Sequence, residues 1–441
     1  MIVVSIHQNI VGHINIVFTH CSPFVYLDDQ FEFFIKVSPL HRVTLNYRFT
    51  STKVCFPPPT SKTSVRRMSS SVMTTRNKTK VASKVAWTIK DLEHAALFAR
   101  HFVRGKVLGK GGDGVVTSYT HLHSNDKIAV KTCLREDRHS KARIKDEIEA
   151  LMAIGKHENI ATMITYCKEF DHCGPAIISP LCDLGDLYSY HEMWYKDQTR
   201  KTGKLTHPAE ATVLKLFRDI ALGLDYLHNG TGTCYVHSDL KPENILVLTP
   251  ADYTGKAIPT EPIFKITDFA RLTPFPNLLT TRPSVWHGTF EFAPPSHEWQ
   301  RAPEPSGDIW CLGATIQTFA LNVHPTVSRI RFTANCAKQG IACPALQDKE
   351  AWGSEYWREK IPVVYRPLNL SAEVLIRDWD VQKLSSGYRP YSFLLNEWYA
   401  SLFQARSEWR ITSADLKRYI VPVIERQLAI ERALSMPDES I

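Results

Sequence analysis

The stretch VHSDLKPENIL, Val236 to Leu246, packs an Asp, a Lys two residues on and an Asn three after that between apolar, strand-like ends. Asp239 and Asn244 on one short loop, facing a second acid, Asp268 in IFKITDFARL, make an oxygen-rich cluster suited to a hard divalent cation that keeps some of its waters. Phosphoryl transfer needs such an inventory: a metal ion bridging phosphate oxygens, a carboxylate to take the nucleophile's proton, and a cation beside the transferred group. Asp239, Lys241, Asn244 and Asp268 supply those roles.

Two upstream motifs extend the set. In VLGKGGDGVV, Gly109, Gly111 and Gly114 lie between two strands, where glycines let backbone N–H groups come close to an anion. Alone this is weak, since a glycine-rich hairpin is often only a turn; the strand that follows argues against a dinucleotide fold, which would place a helix there. Lys131 then ends the apolar strand of IAVK, and an inward-pointing ammonium needs a partner in low dielectric. Glu147, on the polar flank of the next helix, supplies one. Either residue alone reads as a surface charge; their order after a glycine loop reverses that.

The elements that must position these groups are short alternating strands from about residue 98, followed by long amphipathic helices after Leu187. ARIKDEIEALMAIGK places Ile144, Ile148, Leu151 and Met152 on one helical face. ATVLKLFRDIALGLDYLHNG carries the stripe Leu214, Phe217, Ile220, Ala221, Leu224 and Leu227, with a Gly just past its last apolar position.

Over about residues 101–421 the chain resembles a eukaryotic protein kinase domain of the serine/threonine type, with GKGGDGVV, IAVK, a helix Glu, HSDLKPEN, TDFA, GTFEFAPP and GDIWCLG in the family's order. The resemblance implies an α+β, bilobal fold with a small strand-rich N-lobe over 98–182 and a larger helical C-lobe over 183–421. It also implies transfer of the γ-phosphoryl of ATP, with Mg²⁺, to Ser and Thr hydroxyls of protein substrates. By the same match Gly109, Gly111 and Gly114 cover the ATP phosphates, and Lys131, held by Glu147, touches the α- and β-phosphates. Asp239 is the base and orienter, Lys241 steadies the γ-phosphoryl, and Asn244 and Asp268 hold Mg²⁺. Val116, Ala129 and Leu246 sandwich the adenine, Leu181 lies in the hinge ISPLCD, and Ser179, a small side chain guarding the back of the pocket, leaves extra apolar volume there. Cys182, also in the hinge, reads as a buried inert thiol. Asp308 in GDIWCLG braces the catalytic loop backbone.

Three positions depart from the family. Ser238 replaces the Arg before the catalytic Asp, which normally receives a phosphorylated activation loop; Thr280, Thr281 and Ser284 would lack that receiver. Ala270 stands for the Gly after Phe269. Pro295 replaces the Glu that usually pairs with a late Arg, here Arg410, and Glu298 is the nearest substitute. These departures leave a second reading, a pseudokinase scaffold that binds nucleotide without turnover, and a third, a small-molecule kinase, against which GTFEFAPP and GDIWCLG argue.

Composition bounds the rest. At 441 residues, 44% hydrophobic and 22% charged, the chain reads as globular, and no apolar run reaches the ~18 residues of a membrane-spanning helix. The +8 charge does not imply nucleic-acid binding. Residues 1–90 hold 12 basic and 3 acidic side chains, and the remaining 351 hold 41 and 42. Residues 1–90 read as a basic, disordered extension, with strand-like runs before residue 55 and a Pro/Ser/Thr/Lys-rich linker after it. The ten cysteines lack zinc spacing and read as free thiols in an intracellular, cytoplasmic or nuclear protein. Residues 322–391 form an extended, tryptophan-rich segment read as loop and helix on the large lobe, and residues 422–441 a C-terminal helix cut at Pro422.

Overall fold

The computed structural model describes residues 87–435 apart from 113, 136, 172–173, 204–206, 277–285, 300, 382–383 and 385–386; upstream it describes four short strands. The chain divides into two units, Met1–Lys80 and Val81–Ile441. In the first, β1 (Ile2–Gln8) pairs antiparallel with β2 (Ile14–His20), and β3 (Ile35–Lys36) with β4 (Arg42–Val43). These pairs fall in the strand-like runs before residue 55, while the linker after residue 55 lies outside the described residues.

The second unit opens with α1 (Ile89–Glu93) and α2 (Ala95–His101). Thr88 and Asp91 start α1 with a capping box, the Thr88 N–H donating to the Asp91 carboxylate at 2.7 Å. A five-stranded antiparallel sheet follows, in the order β5 (Phe102–Lys110), β6 (Val115–His121), β7 (Lys127–Thr132), β9 (Ala176–Pro180), β8 (Thr165–Cys167). Strand alternation divides its two faces. Ile128, Val130, Ala176 and Ile178 point to one face, where Leu92 and Phe98 of the N-terminal helices cover them. Trp87, upstream of residue 98, is tied to the same sheet, its indole donating to Asp126 at 3.0 Å.

On the opposite face, α3 (Arg138–Ile154) packs Ile144 and Ile148 against Ile177 and Cys133. Asp137 caps α3 by accepting from the Ser140 N–H at 2.7 Å, and Gly155 ends it at φ 77°. Two expectations for this helix are corrected. Met152 is exposed, because the apolar stripe of α3 is narrower than its sequence suggested, and Glu147 is buried at the sheet instead of lying on a polar flank.

In the large lobe, α4 (Leu187–Thr202) and α5 (Glu210–Asp225) lead through a π turn into the hairpins that carry the site. All six residues of the expected α5 stripe are buried. Strand β10 (Cys234–Val236) pairs with β13 (Thr273–Phe275), and β11 (Ile245–Leu248) with β12 (Ile263–Ile266). Helix α6 (Pro305–Leu321) is apolar nearly all round and correspondingly buried along its length. The extended segment holds α7 (Arg329–Lys338), α8 (Lys349–Gly353), α9 (Glu355–Lys360) and α10 (Ala372–Asp378). It is closed at its base by the buried Arg366, whose guanidinium donates to the carbonyls of His324, Thr326 and Trp379.

After α11 (Phe393–Ala400) and α12 (Ser413–Asp415), a π turn at Leu416–Ile420 runs directly into α13 (Val421–Ser435). Pro422 therefore does not cut the helix. It sits in the first turn of α13, where its missing N–H costs little, and the irregularity falls upstream as the π turn. Ile424 and Leu428 bury α13 in the main core. Among the described residues no helix is long and apolar enough to cross a membrane.

Pro295 leaves no gap at Arg410. The Arg410 guanidinium, fully buried, donates to both oxygens of Glu298 at 2.7 and 3.2 Å and to the carbonyls of Gln404 and Ser306. Removing one charge of such a pair strands the other in low dielectric. Glu298→Gln should therefore lower unfolding free energy by about 3 kcal/mol in urea titrations; a loss under about 1 kcal/mol would show that the carbonyls suffice.

Candidate active site

The cleft wall follows from register. Val116 pairs with Lys131, Lys131 with Ile177, and Ala129 with Ser179, so Val116, Ala129, Lys131 and Ser179 share one face of the sheet. All four side chains are half-buried. Leu181 follows β9, and residues Leu184 to Asp186 then run against β11. Val247 donates to the Gly185 carbonyl, and Leu246 bridges to Asp186, which sets Leu246 opposite the sheet across the hinge. Cys182 lies on the same passage, and burial pushes its thiol up to about 12, as an inert thiol requires.

The three glycines are not equivalent. A Cβ on Gly114 would lie 2.5 Å from the Thr132 carbonyl oxygen and 3.4 Å from Lys131 Cγ, so Gly114 lets β6 pass beside the lysine. Gly109 and Gly111 have nothing within 4 Å of that position. The loop is closed by the Gly111 N–H donating to the Gly114 carbonyl at 3.0 Å.

Lys131 Nζ lies 2.7 Å from Glu147 Oε2 and 2.9 Å from Asp268 Oδ1. Burial alone would lower the lysine's pKa, but the two carboxylates more than reverse that and keep it charged. Asp268 responds in kind: burial would raise its carboxyl, and Lys131 holds it below the ordinary carboxylate range. Asp268 also sits at φ 65°, a conformation disfavoured for a non-glycine residue and held here by that contact.

The loop carrying Asp239 is held from beneath. Asp308 accepts from the His237 N–H at 2.8 Å and the Ser238 N–H at 2.9 Å, which fixes Ser238 at φ 67°. His237 donates through Nε2 to the Thr267 carbonyl and accepts at Nδ1 from the Asp239 N–H, a pattern that requires the neutral Nε2–H tautomer. The Thr267 N–H donates to the Asn244 carbonyl at 3.0 Å, bringing Asn244 beside Asp268. Asn244 Nδ2 donates to the Asp239 carbonyl at 2.8 Å, leaving its amide oxygen as the acceptor end.

Asp239 itself accepts from Lys241 Nζ at 3.0 Å and, at its other oxygen, from the N–H and hydroxyl of Thr289 at 2.7 and 2.8 Å. Lys241 also donates to the Thr289 hydroxyl at 2.7 Å. Thr289 was not assigned from sequence, although it stands in the GTFEF motif; its role needs a contact spanning 50 residues. Gly288 before it is there for clearance, since a Cβ would collide with the Ser238 carbonyl oxygen. Ser238 is buried and offers no cation; Arg271 Nε, 3.7 Å from Asp239, is a further positive charge at the loop. Thr280, Thr281 and Ser284 lie outside the described residues. Among the described residues, no group of three or more His, Cys, Asp or Glu side chains is placed to hold a metal ion by itself.

A family model for the protein kinase domain matches residues 102–366, and the chain belongs to that family, within the eukaryotic protein kinase superfamily. A probable LRR receptor-like serine/threonine-protein kinase of Arabidopsis thaliana is 28% identical over 227 residues, 51% of this chain and 23% of that protein. MAP kinase-interacting serine/threonine-protein kinase 2 of Xenopus laevis is 26% identical over 283 residues, 62% of this chain and 57% of that protein. A probable leucine-rich repeat receptor-like protein kinase of Arabidopsis thaliana reaches 34% over 142 residues, 32% of this chain and 15% of that protein. The chain thus spans less than two thirds of the length of each.

The Lys131–Asp268 contact has a pH signature. Because the folded-state pKa of Asp268 is depressed, its contribution to stability is complete above the unfolded value near ~3.9 and is lost as pH falls through the lower folded value. Stability measured between about pH 4 and pH 2 should fall less steeply in Asp268→Asn than in the parent protein; parallel slopes would count against the pair.

Proposed function

We propose that this chain is an ATP-dependent protein kinase transferring the γ-phosphoryl group of Mg-ATP to serine and threonine hydroxyls of protein substrates. The observation that carries this reading is Lys131 held by Glu147 and Asp268 in the same cleft as Asp239. An ammonium has three N–H bonds; two meet these carboxylates, which leaves the third to donate to the α- and β-phosphate oxygens when nucleotide binds. Gly109, Gly111 and Gly114 cover those phosphates, Val116, Ala129 and Leu246 flank the adenine, and Ser179 and Leu181 border it at the back and the hinge.

Asn244 and Asp268 hold the metal. One carboxylate and one amide oxygen would suit Mg²⁺, a hard cation that usually keeps several waters and is seldom held by an all-protein cage. When bound, Mg²⁺ neutralises the charge on the bridging phosphate oxygens. Asp239 orients the acceptor hydroxyl and takes its proton, while Lys241 steadies the transferred group; Thr289 keeps the Asp239 carboxylate in place. Serine and threonine as acceptors are supported by Lys241 in DLKPEN and by the names of the relatives. The departures at Ser238, Ala270 and Pro295 leave the catalytic set intact, which supports turnover over a nucleotide-binding scaffold.

With Mg-ATP and generic protein substrates, the parent chain should phosphorylate Ser and Thr, and Asp239→Asn should fall by ~10²-fold or more with little change in nucleotide affinity. Equal inactivity of both would replace the enzyme with the scaffold. Because Ser238 offers no cation to a phosphate, phosphatase treatment should leave the rate unchanged. Inactivation that recovers on rephosphorylation within residues 272–288 would contradict this.

A further inference from the structure

We propose that Arg358, in the extended segment, is a positioning residue for the protein substrate: through Glu291 it fixes the stretch that begins at Thr289, the threonine bonded to Asp239. The inference rests on the phosphotransferase reading above. Arg358 Nε and Nη2 donate to the two oxygens of Glu291 at 2.6 and 2.7 Å, the fork-to-fork geometry that restrains orientation as well as distance. Burial would raise the Glu291 carboxyl, yet Arg358 holds it below the ordinary range, so the pair stays ionised at neutral pH.

Glu291 lies in the short turn Phe290–Phe292, two residues after the threonine that bonds Asp239. The Arg358 guanidinium also lies 6.0 Å from the centre of the Phe290 ring, which packs on Trp299 at 5.3 Å. The arginine comes from a braced platform. Trp352 is buried, its ring is 5.3 Å from that of Trp357, and its indole donates to the Ala345 carbonyl at 3.0 Å. Residues 289–298 are thus attached through three polar side chains, Thr289 to Asp239 and Lys241, Glu291 to Arg358, and Glu298 to Arg410. None of these contacts involves Ser238, the residue before Asp239.

Steady-state kinetics and hydrogen exchange on the full chain decide the matter. Arg358→Ala should raise KM for a protein substrate about tenfold, leave KM for ATP within about twofold, and speed amide exchange at 287–295 but not at 237–247. Arg358→Glu should do the same, and combining it with Glu291→Arg should restore both readouts, which general damage to the fold would not allow. Unchanged exchange and unchanged substrate KM in Arg358→Ala, or no recovery in the charge-swapped pair, would overturn the assignment. A parent chain without turnover would defeat the kinase reading instead, and exchange at 287–295 would still decide whether Arg358 holds the stretch.

Discussion

A lysine ammonium on the inner face of a β-sheet persists only if carboxylates stand beside it, and the cleft is organised by that constraint. Glu147 reaches Lys131 from α3 and Asp268 reaches it from the segment after β12, so one charge is neutralised by acids from both lobes. Lys131 is the main counter-charge of Asp268 and a direct partner of Glu147, and its loss would leave both acids less compensated in a low-dielectric setting. Three residues scattered over 138 positions of sequence therefore specify how the sheet, α3 and the large lobe meet.

A second layer holds the groups that must be aimed. Ser238 and Asp268 both adopt left-handed backbone conformations that cost free energy for residues with a side chain. Each is offset by specific partners, Asp308 beneath the first and Lys131 beside the second. Asp239 then has one oxygen addressed by Lys241 and the other by Thr289, which are themselves bonded to each other. Strain and satisfaction of polar groups occur at the same residues, the pattern expected where geometry serves chemistry rather than stability.

Much of this was legible in sequence because the signals are local. Period-2 runs announced β5, β6 and β7, and the spacing of apolar residues announced α5; in β7 and α5 the side chains that alternate or recur are the ones the fold buries, whereas β5 buries only Phe102. The substitution of Glu298 for the missing acid at Pro295 was also legible, since three residues along a short turn is within reach of the same arginine. The errors have the same physical source. Met152 and Glu147 were assigned by helical periodicity, but which side of α3 is covered depends on a sheet edge the periodicity does not see. Pro422 was read as a break because its effect inside a helix is severe, and the π turn before it moved it to a first-turn position.

Residue identity and order alone determined the family, the bilobal class and the chemical inventory, because glycines, an inward lysine and an Asp–Lys–Asn loop have few alternative uses in that succession. Tertiary structure decided which charges meet: that Thr289 and not only Lys241 addresses Asp239, and that Arg358 closes on Glu291 across 67 residues. Such contacts leave no periodic or local trace. Their stability depends on burial and on the distance between elements distant in sequence, and those exist only once the chain has folded.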